Sequence, residues 1–145
     1  MRKRLAVEEL GDLLELPLLA TLATYRRDGT VLLSPVWHEW RDGGFNVVLG
    51  AGDIKTQHLG RDPRACIVLA ENDPPYRGLE VSGEAAISLD PALALEAFRR
   101  IAMRYLGEER GRAFAGDNGE VFSLLRLTPG RLRTWDFVDD PQLAT

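Results

Sequence analysis

The chain has 145 residues, the length of a single domain (residues 1–145) with one hydrophobic core, and 45% of them are hydrophobic. Its net charge of −4 gives no electrostatic drive for nonspecific nucleic-acid binding, and no apolar run is long enough to span a bilayer. The single cysteine, Cys66, excludes a disulfide framework and a cysteine-based zinc site, and we expect it to be a small core residue. Acidic residues among the first 16 positions argue against a signal peptide, so we expect a cytoplasmic protein.

The first third of the chain predicts a short helix and then strands. Leucines fall on one face of an amphipathic helix over residues 7–16, which Pro17 ends. Strands follow, separated by tight turns at residues 26–29 and 41–44, and they cover residues 18–25, 30–40 and 45–50. This pattern predicts an antiparallel meander, and Pro35 marks either a bulge or an edge strand within it.

The middle of the chain predicts a helix between strands. Asp53 is a suitable N-cap for a short helix over residues 53–60, and the segment 61–63 stops it. A fourth strand at residues 64–71 is apolar on both faces and therefore well buried. After a loop, a fifth strand covers residues 79–89, with Gly83 as its expected bulge.

The last third predicts the longest helix and a final pair of strands. Asp90 caps that helix, which reaches about Tyr105 and ends at Gly107. Residues 108–119 predict one more helical turn and a loop, and residues 120–137 predict two strands that turn at residues 128–130. The fold class is thus mainly β with a few helices, with six or seven antiparallel strands. We favour a closed or split barrel over a sandwich, because so many strands in a small domain must protect their edges.

Lys55 is the first candidate for ligand binding. It lies on the first turn of the short helix, after Gly50 and Gly52, and helix N-termini attract anions. The glycines let the backbone approach a ligand, and Thr56 adds a hydroxyl. These residues are compatible with a phosphate site, but on their own they favour a solvated lysine on a surface helix.

The segment "SPVW", residues 34–37, is the second candidate. Pro35 kinks the strand there, so nearby backbone amides face outward and can bond the polar edge of a ring system. Trp37 is compatible both with a core position and with the wall of a flat slot. His38, in "WHEW", is expected at an exposed strand position, and two histidines in the whole chain are too few for a metal site.

Other polar residues have structural and functional interpretations side by side. Tyr76 and Arg77 either wall a ring and pair with an anion, or belong to an ordinary loop in which Arg77 pairs with Glu80 or Asp73. A cluster on the longest helix is expected to be a solvated, ion-paired face, and it consists of Glu96, Arg99, Arg100 and Arg104. Neither a nucleophile elbow at Ser34 nor a G-x-G-x-x-G motif after a strand is present.

Three segments in the same order resemble one superfamily: "LATLATYRRDGTVLLSPVW", "KTQHLGRDPRACIVL" and "PYRGLEVSGEA". They are similar to the split β-barrel flavin and deazaflavin oxidoreductases, such as pyridoxamine 5′-phosphate oxidase, and within them to the branch that uses coenzyme F420. The resemblance covers roughly residues 18–89, with a weaker match at "LLRLTPGRLRTWDF". It implies a split-barrel homodimer with two cofactor sites in grooves at the dimer interface.

The resemblance also implies which residues hold the cofactor. Lys55 would bind the phosphate, and the ring system would lie against the second strand and the "PYRG" loop. A further role for the helix cluster, as a groove for the anionic tail of coenzyme F420, is the minority interpretation. The candidate cofactor-binding residues are Ser34, Pro35, Val36, Trp37, Val48, Leu49, Gly50, Lys55, Thr56, His58, Tyr76, Arg77 and Gly78.

The leading functional hypothesis is therefore an oxidoreductase that uses coenzyme F420. A hydride would pass between the reduced deazaflavin and an unsaturated small-molecule substrate, with Tyr76 or water as the proton donor. The alternatives are an FMN-binding oxidase or reductase of the same fold, and a non-enzymatic protein that binds haem or the cofactor itself. Neither a metal, a nucleic acid nor a membrane is an expected partner.

Overall fold

The structure is a computed structural model, and it describes residues 1–116 and 120–143. Within these ranges the helices are α1 (Ile54–Arg61), α2 (Pro91–Leu106) and α3 (Glu108–Phe114), and two 3-10 turns lie at Val7–Leu10 and Leu13–Glu15. The strands in the same ranges are β1 (Arg2–Lys3), β2 (Ala20–Tyr25), β3 (Val31–Val36), β4 (Glu39–Arg41), β5 (Gly44–Leu49), β6 (Arg64–Ala70), β7 (Gly78–Ser88) and β8 (Ser123–Asp136).

These strands form one antiparallel sheet in the order β3-β2-β6-β7-β8-β5-β4, and β1 pairs with β8. One core packs against it, and its fully buried members include Leu22, Phe45, Ile67, Leu79 and Leu125. The predicted class, mainly β with an antiparallel sheet, is confirmed. The closure of this sheet into a barrel stays a prediction.

The predicted meander is wrong, because the segment 30–40 contains two strands. β2 and β3 form the expected hairpin, but β3 ends at Val36 and β4 begins at Glu39. β4 and β5 form a second hairpin at the opposite end of the sheet order, where β5 pairs with β8. Pro35 lies on the terminal strand β3, opposite Thr21 in an unbroken register, so it marks an edge and not a bulge.

The predicted final pair of strands is the single long strand β8. Both of its halves pair with β7, and the register shifts between Ser82 and Gly83, which confirms the expected bulge. A Cβ at Gly83 would lie 2.0 Å from the carbonyl oxygen of Thr128, so only glycine fits there. The Pro-Gly pair that predicted a turn at residues 128–130 therefore lies opposite the bulge, where the two strands bend together.

The predicted helix over residues 7–16 is two 3-10 turns. Gly11 separates them with a φ of +63°, a left-handed conformation that an α-helix does not accept. The apolar face is still real, because Leu10 and Leu13 are fully buried in the core.

Strand β6 is less buried than its composition predicts. Ala65, Ile67 and Leu69 are buried, whereas the alternate residues Cys66 and Val68 are only half-buried. Cys66 therefore lies at the margin of the core, with its Sγ 3.5 Å from the Ser82 hydroxyl oxygen.

The predicted helix caps are confirmed. The Asp53 carboxylate accepts a hydrogen bond from the backbone N–H of Lys55, and that of Asp90 accepts one from Ala92. Gly107, with a φ of +88°, ends α2 and leads into α3, which realises the helical turn predicted after it. The loop predicted beyond α3 falls partly on residues 117–119, outside the described residues.

Candidate functional site

A cavity of about 640 Å³ lies between the edge of the sheet and the helices, a volume typical of small-molecule sites. Two strands, β3 and β5, and the three helices supply most of its wall. The lining residues are Pro35, Val36, Trp37, Val48, Leu49, Asp53, Lys55, Phe98, Ile101, Phe114, Glu120 and Phe122. Six of them are among the residues predicted from the sequence to bind a cofactor.

Lys55 places the cationic group on this wall. Its side chain is only 12% exposed, and the ammonium Nζ lies 3.2 Å from Oδ1 of Asp53. The backbone N–H of Lys55 donates to the Asp53 carboxylate, while the N–H and hydroxyl of Thr56 both donate to the Asp53 carbonyl. Because Asp53 accepts hydrogen bonds from these groups, the Lys55 and Thr56 amides and the Thr56 hydroxyl are not available to bind an anion, contrary to the expectation. The Lys55 ammonium is therefore the main anion-binding group at this helix start.

Aromatic rings form another part of the cavity wall. Trp37 is half-buried and stacks on Tyr105 of α2, with the ring centroids 4.8 Å apart and the planes 6° apart. Phe114 of α3 tilts against Trp37 at 5.7 Å and stacks on Phe98 at 5.9 Å. Phe122 lies 4.5 Å from Phe98. Trp37 therefore belongs to the cavity wall, and a series of aromatic rings in contact extends from the end of β3 onto the helices.

The helical part of the wall was missed by the sequence analysis. Phe98 and Ile101, three residues apart on α2, point to the same side of that helix, and this spacing was the available signal. Nothing local in the sequence indicates that this side covers β3 and β5, because those strands lie about 50 to 65 residues earlier in the chain.

The helix cluster predicted to be solvated and ion-paired is so only in part. Glu96 and Arg99 are exposed, whereas Arg100 and Arg104 are partly buried and bind other parts of the protein. Arg100 makes hydrogen bonds to both carboxylate oxygens of Glu39, at 3.0 and 2.7 Å, and Asn46 donates to the same carboxylate at 2.9 Å. Burial alone would raise the pKa of Glu39, but the hydrogen bonds from Arg100 and Asn46 outweigh it and hold the pKa below its usual value. Arg104 donates to backbone carbonyls, including those of His38 and Leu14. These contacts fasten α2 to the sheet and position its cavity-facing side.

His38 is fully buried, so the expected exposed position is wrong. It lies between β3 and β4, with its ring edge-on to Phe45 and Tyr105. Its backbone N–H donates to the Tyr105 hydroxyl, but neither ring nitrogen has a hydrogen-bond partner among the described residues. Burial, helped by the positive charge of Arg104, lowers the pKa of His38 to about 4.

This buried ring predicts a pH-dependent stability. The folded-state pKa lies below the ordinary value of 6.5, so the unfolded state binds more protons between the two values. Stability is therefore lost as the pH falls from about 6.5 towards 4, by about 2 kcal/mol at pH 5. Urea denaturation at pH 7.5 and pH 5 should show this loss in the native protein and a smaller one in His38→Phe.

A residual loss in His38→Phe is expected from His58, whose pKa is also lowered by burial. Measurements at pH 5 and above stay over the ordinary pKa of Glu39, 4.5, so this carboxylate, whose pKa is lowered in the folded state, adds little to the loss. An unchanged pH dependence in His38→Phe would contradict this assignment.

The remaining predicted residues lie away from the cavity wall. His58 lies on the buried side of α1, with Nδ1 3.0 Å from the Thr24 hydroxyl oxygen. Ser34, Gly50 and Thr56 adjoin lining residues in the sequence but do not line the cavity themselves. Arg77 is ion-paired with Glu71 and with Asp12 at 2.7 Å. A Cβ at Gly78 would lie 2.1 Å from the Trp135 ring. Tyr76, Arg77 and Gly78 thus form a separate group beside the C-terminal end of β8.

The described residues contain no cluster of three or more His, Cys, Asp or Glu side chains suited to a metal ion. In the same residues, none of the helices has the length and apolarity needed to cross a bilayer.

The structure is thus an antiparallel β protein with an apolar, lysine-bearing cavity of the size common for small-molecule sites. The sequence model of the family described as pyridoxamine 5′-phosphate oxidase matches residues 6–136, and the chain belongs to this family. No curated protein matches the sequence significantly.

Solved structures place the chain among members of this fold. The conserved hypothetical protein Rv2991 from Mycobacterium tuberculosis is 26% identical, with a TM-score of 0.80 over 92% of this chain and 86% of that chain. An F420 reductase is 25% identical, with a TM-score of 0.66 over 83% of this chain and 93% of that chain. The haem storage protein HutZ from Vibrio cholerae is 18% identical, with a TM-score of 0.66 over 87% and 92%, and shares the fold alone.

Proposed function

We propose that this protein binds coenzyme F420 and is an oxidoreductase that transfers a hydride between the deazaflavin and an unsaturated small molecule. The observation that carries the proposal is the cavity that joins the Lys55 ammonium to a stacked aromatic wall. The similarity to an F420 reductase, over most of both chains, supports the choice of cofactor. Membership of the family supports flavin-type chemistry in general.

At the phosphate, the charge of the cavity favours the diester of coenzyme F420 over the monoester of FMN. Lys55 is the one cationic residue among the described lining residues, and it shares the wall with Asp53 and Glu120. The phosphate monoester of FMN carries a charge of about −1.5 to −2 at neutral pH, whereas a phosphate diester, as in coenzyme F420, carries one negative charge. A single ammonium that already contacts Asp53 is better matched to the diester.

The rest of the cavity suits a flat ring. Trp37, Phe98 and Phe114 supply apolar faces, and they exclude water from a ligand that lies on them. β3 ends the sheet order, so its outer edge offers backbone groups to the polar edge of the ring beside Pro35. The cofactor, when bound, supplies the hydride chemistry, and the residues of the chain orient it and shield it from solvent.

We also propose that the protein is a homodimer with a shared site. Tyr76, Arg77 and Gly78 do not line the cavity of their own chain, so they would reach a cofactor only from a second copy. Exposed apolar side chains lie on the edge strand β3 and just before β2, with Leu33 61% and Leu19 62% exposed, which supports an interface there. Within such a dimer Tyr76 and water are the candidate proton donors.

The proposal is tested by titrating the purified protein separately with coenzyme F420 and FMN, and by following fluorescence. We expect micromolar binding of coenzyme F420 and at least tenfold weaker binding of FMN. Binding of neither ligand, or tighter binding of FMN, would contradict the cofactor assignment. Tight binding of coenzyme F420 without turnover of quinone or enone acceptors would instead indicate a binding protein. Sedimentation analysis tests the homodimer.

A further inference from the structure

Trp37 forms part of the cavity wall, yet it lies outside the strands on either side of it. β3 ends at Val36, the last residue in register with β2, and β4 begins at Glu39. Trp37 and His38 belong to neither strand, so the hydrogen bonds of the sheet do not set where the indole points. The position of this ring therefore depends on side chains from other elements.

Tyr105, near the end of α2, makes the closer of the two ring contacts of Trp37 within the described residues. The ring centroids are 4.8 Å apart and the planes 6° apart, so Tyr105 covers one face of the indole in parallel. The other contact, with Phe114, is longer at 5.7 Å and tilted by 51°. Phe114 is 57% exposed, whereas Tyr105 is half-buried and is therefore the firmer support.

The hydroxyl of Tyr105 holds the ring in place. It donates to the Leu18 carbonyl oxygen at 2.6 Å and accepts from the His38 N–H at 3.3 Å. Burial raises the pKa of this hydroxyl, so it stays protonated and remains a donor. The neighbouring Arg104 donates to two carbonyls of the segment 14–16, both at 3.0 Å. The end of α2 is thus tied to the segment before β2 and to the break after β3.

Tyr105 lies behind the wall and not on it. It is not among the described residues that line the cavity, whereas Trp37 is. Arg100 and Arg104 fasten α2 to the rest of the protein without Tyr105. Loss of the Tyr105 ring should therefore free the indole and leave the part of the wall that α2 carries, including Phe98, in place.

We propose that Tyr105 is a positioning residue of the cavity, whose ring holds the Trp37 indole in the orientation that a flat ligand meets. An indole without this support must be ordered when the ligand binds, and that ordering costs affinity. The expected effect on coenzyme F420 rests on the function proposed above, whereas the orientation of Trp37 is measured without a ligand.

Near-UV circular dichroism of the free protein tests the contact between the two rings. Aromatic side chains give a near-UV signal when tertiary packing fixes them. The signal lost in Trp37→Phe, at wavelengths where tryptophan alone absorbs, measures the contribution of this indole. We expect Tyr105→Leu to lose most of that contribution and Tyr105→Phe, which keeps the flat ring, to retain it. A Tyr105→Leu protein that retains it would overturn the proposal.

A double-mutant cycle with coenzyme F420 tests the consequence for binding. Tyr105→Leu should weaken binding about threefold to tenfold, and Tyr105→Phe less than twofold. In a Trp37→Leu background, Tyr105→Leu should change the affinity less than twofold, because a residue that acts through Trp37 then has nothing to position. A full additional loss in that background would show that Tyr105 acts on α2 as a whole, and equal weakening by Phe and Leu would assign the effect to the hydroxyl. Either result contradicts the proposal.

Stability separates the hydroxyl from the ring. Tyr105→Phe should lower the urea midpoint while it binds coenzyme F420 like the native protein, since it leaves the Leu18 carbonyl without its donor. Tyr25→Leu is the matched control, because this tyrosine lies under Arg64 and is not among the described lining residues, and it should change the affinity less than twofold. If the native protein binds no coenzyme F420, the proposed function fails, and the near-UV spectrum of Tyr105→Leu alone decides whether Tyr105 positions Trp37.

Discussion

Replacing Lys55 with alanine is expected to weaken coenzyme F420 binding between about tenfold and a hundredfold while the fold stays intact. A hydrogen bond to a charged group contributes about 1.5–3 kcal/mol, and each 1.4 kcal/mol corresponds to a factor of about ten in affinity. The side chain is 12% exposed on the cavity wall, so few water molecules are available to replace it. Loss of the ammonium also leaves the Asp53 carboxylate unpaired, and it then repels an incoming phosphate.

The helix should survive this substitution. Asp53 caps α1 through the backbone N–H of residue 55, and alanine keeps that N–H. Alanine is also a strong helix former. A drop in affinity with unchanged circular dichroism therefore reports on the ligand contact and not on folding.

Two variants sharpen the interpretation. Lys3→Ala removes the chain's other lysine, which lies on β1 and does not line the cavity, and it should bind coenzyme F420 like the native protein. Asp53→Asn keeps a side chain that caps helices well but removes the competing charge, so we expect it to bind severalfold more tightly. Native-like affinity in Lys55→Ala, measured by fluorescence titration, would show that the phosphate is held elsewhere.

The sequence predicted best those features that depend on a few neighbouring residues. Asp53 and Asp90 are N-caps because a short acidic side chain reaches backbone N–H groups two positions away, whatever the rest of the fold does. The bulge at Gly83 and the hairpin between β2 and β3 follow from similarly local rules.

The features missed by the sequence analysis depend on segments far apart in the chain. The pattern of residues 30–50 gives no sign that the chain leaves β3 after Val36 and that β5 then pairs with β8, because the partner of a strand is chosen by packing across the whole sheet. His38 lies at this break. Its polar neighbours in the sequence suggested an exposed position, whereas its ring is buried against Tyr105.

The candidate site divides in the same way. The strand residues and Lys55 were predicted and do lie on one cavity wall, whereas the aromatic half on α2 and α3 was not predicted. Arg100 and Arg104 have the spacing of a solvated helix face. In the structure Arg100 instead pairs with Glu39, 61 residues away, and Arg104 donates to distant backbone carbonyls. Because Glu39 is buried, the charged spacing on α2 does not indicate a solvent-facing side of the helix at Arg100.

Gly111→Ala is expected to lower the free energy of unfolding by about 3 kcal/mol. Gly111 lies where α3 crosses α2, and a Cβ there would lie 2.4 Å from the Met103 Cα and 2.7 Å from the Ala102 carbonyl carbon. Contacts below 3.0 Å with backbone atoms cannot be relieved by rotating a side chain, so α3 must move away. Phe114, three residues further along α3, would then leave its contacts with Trp37 and Phe98.

Gly60→Ala provides the matched control, because it makes the same change in another helix. A Cβ at Gly60 meets no atom within 4 Å, and alanine there should stabilise the protein by about 0.4–1 kcal/mol by restricting the unfolded chain. Urea denaturation of both variants should therefore give shifts of opposite sign. Gly111→Ala should in addition weaken coenzyme F420 binding, since the aromatic wall depends on the contact between α2 and α3. Equal stabilities of the two variants would mean that this helix contact tolerates a methyl group, and that Phe114 is held on the wall by its own ring contacts instead.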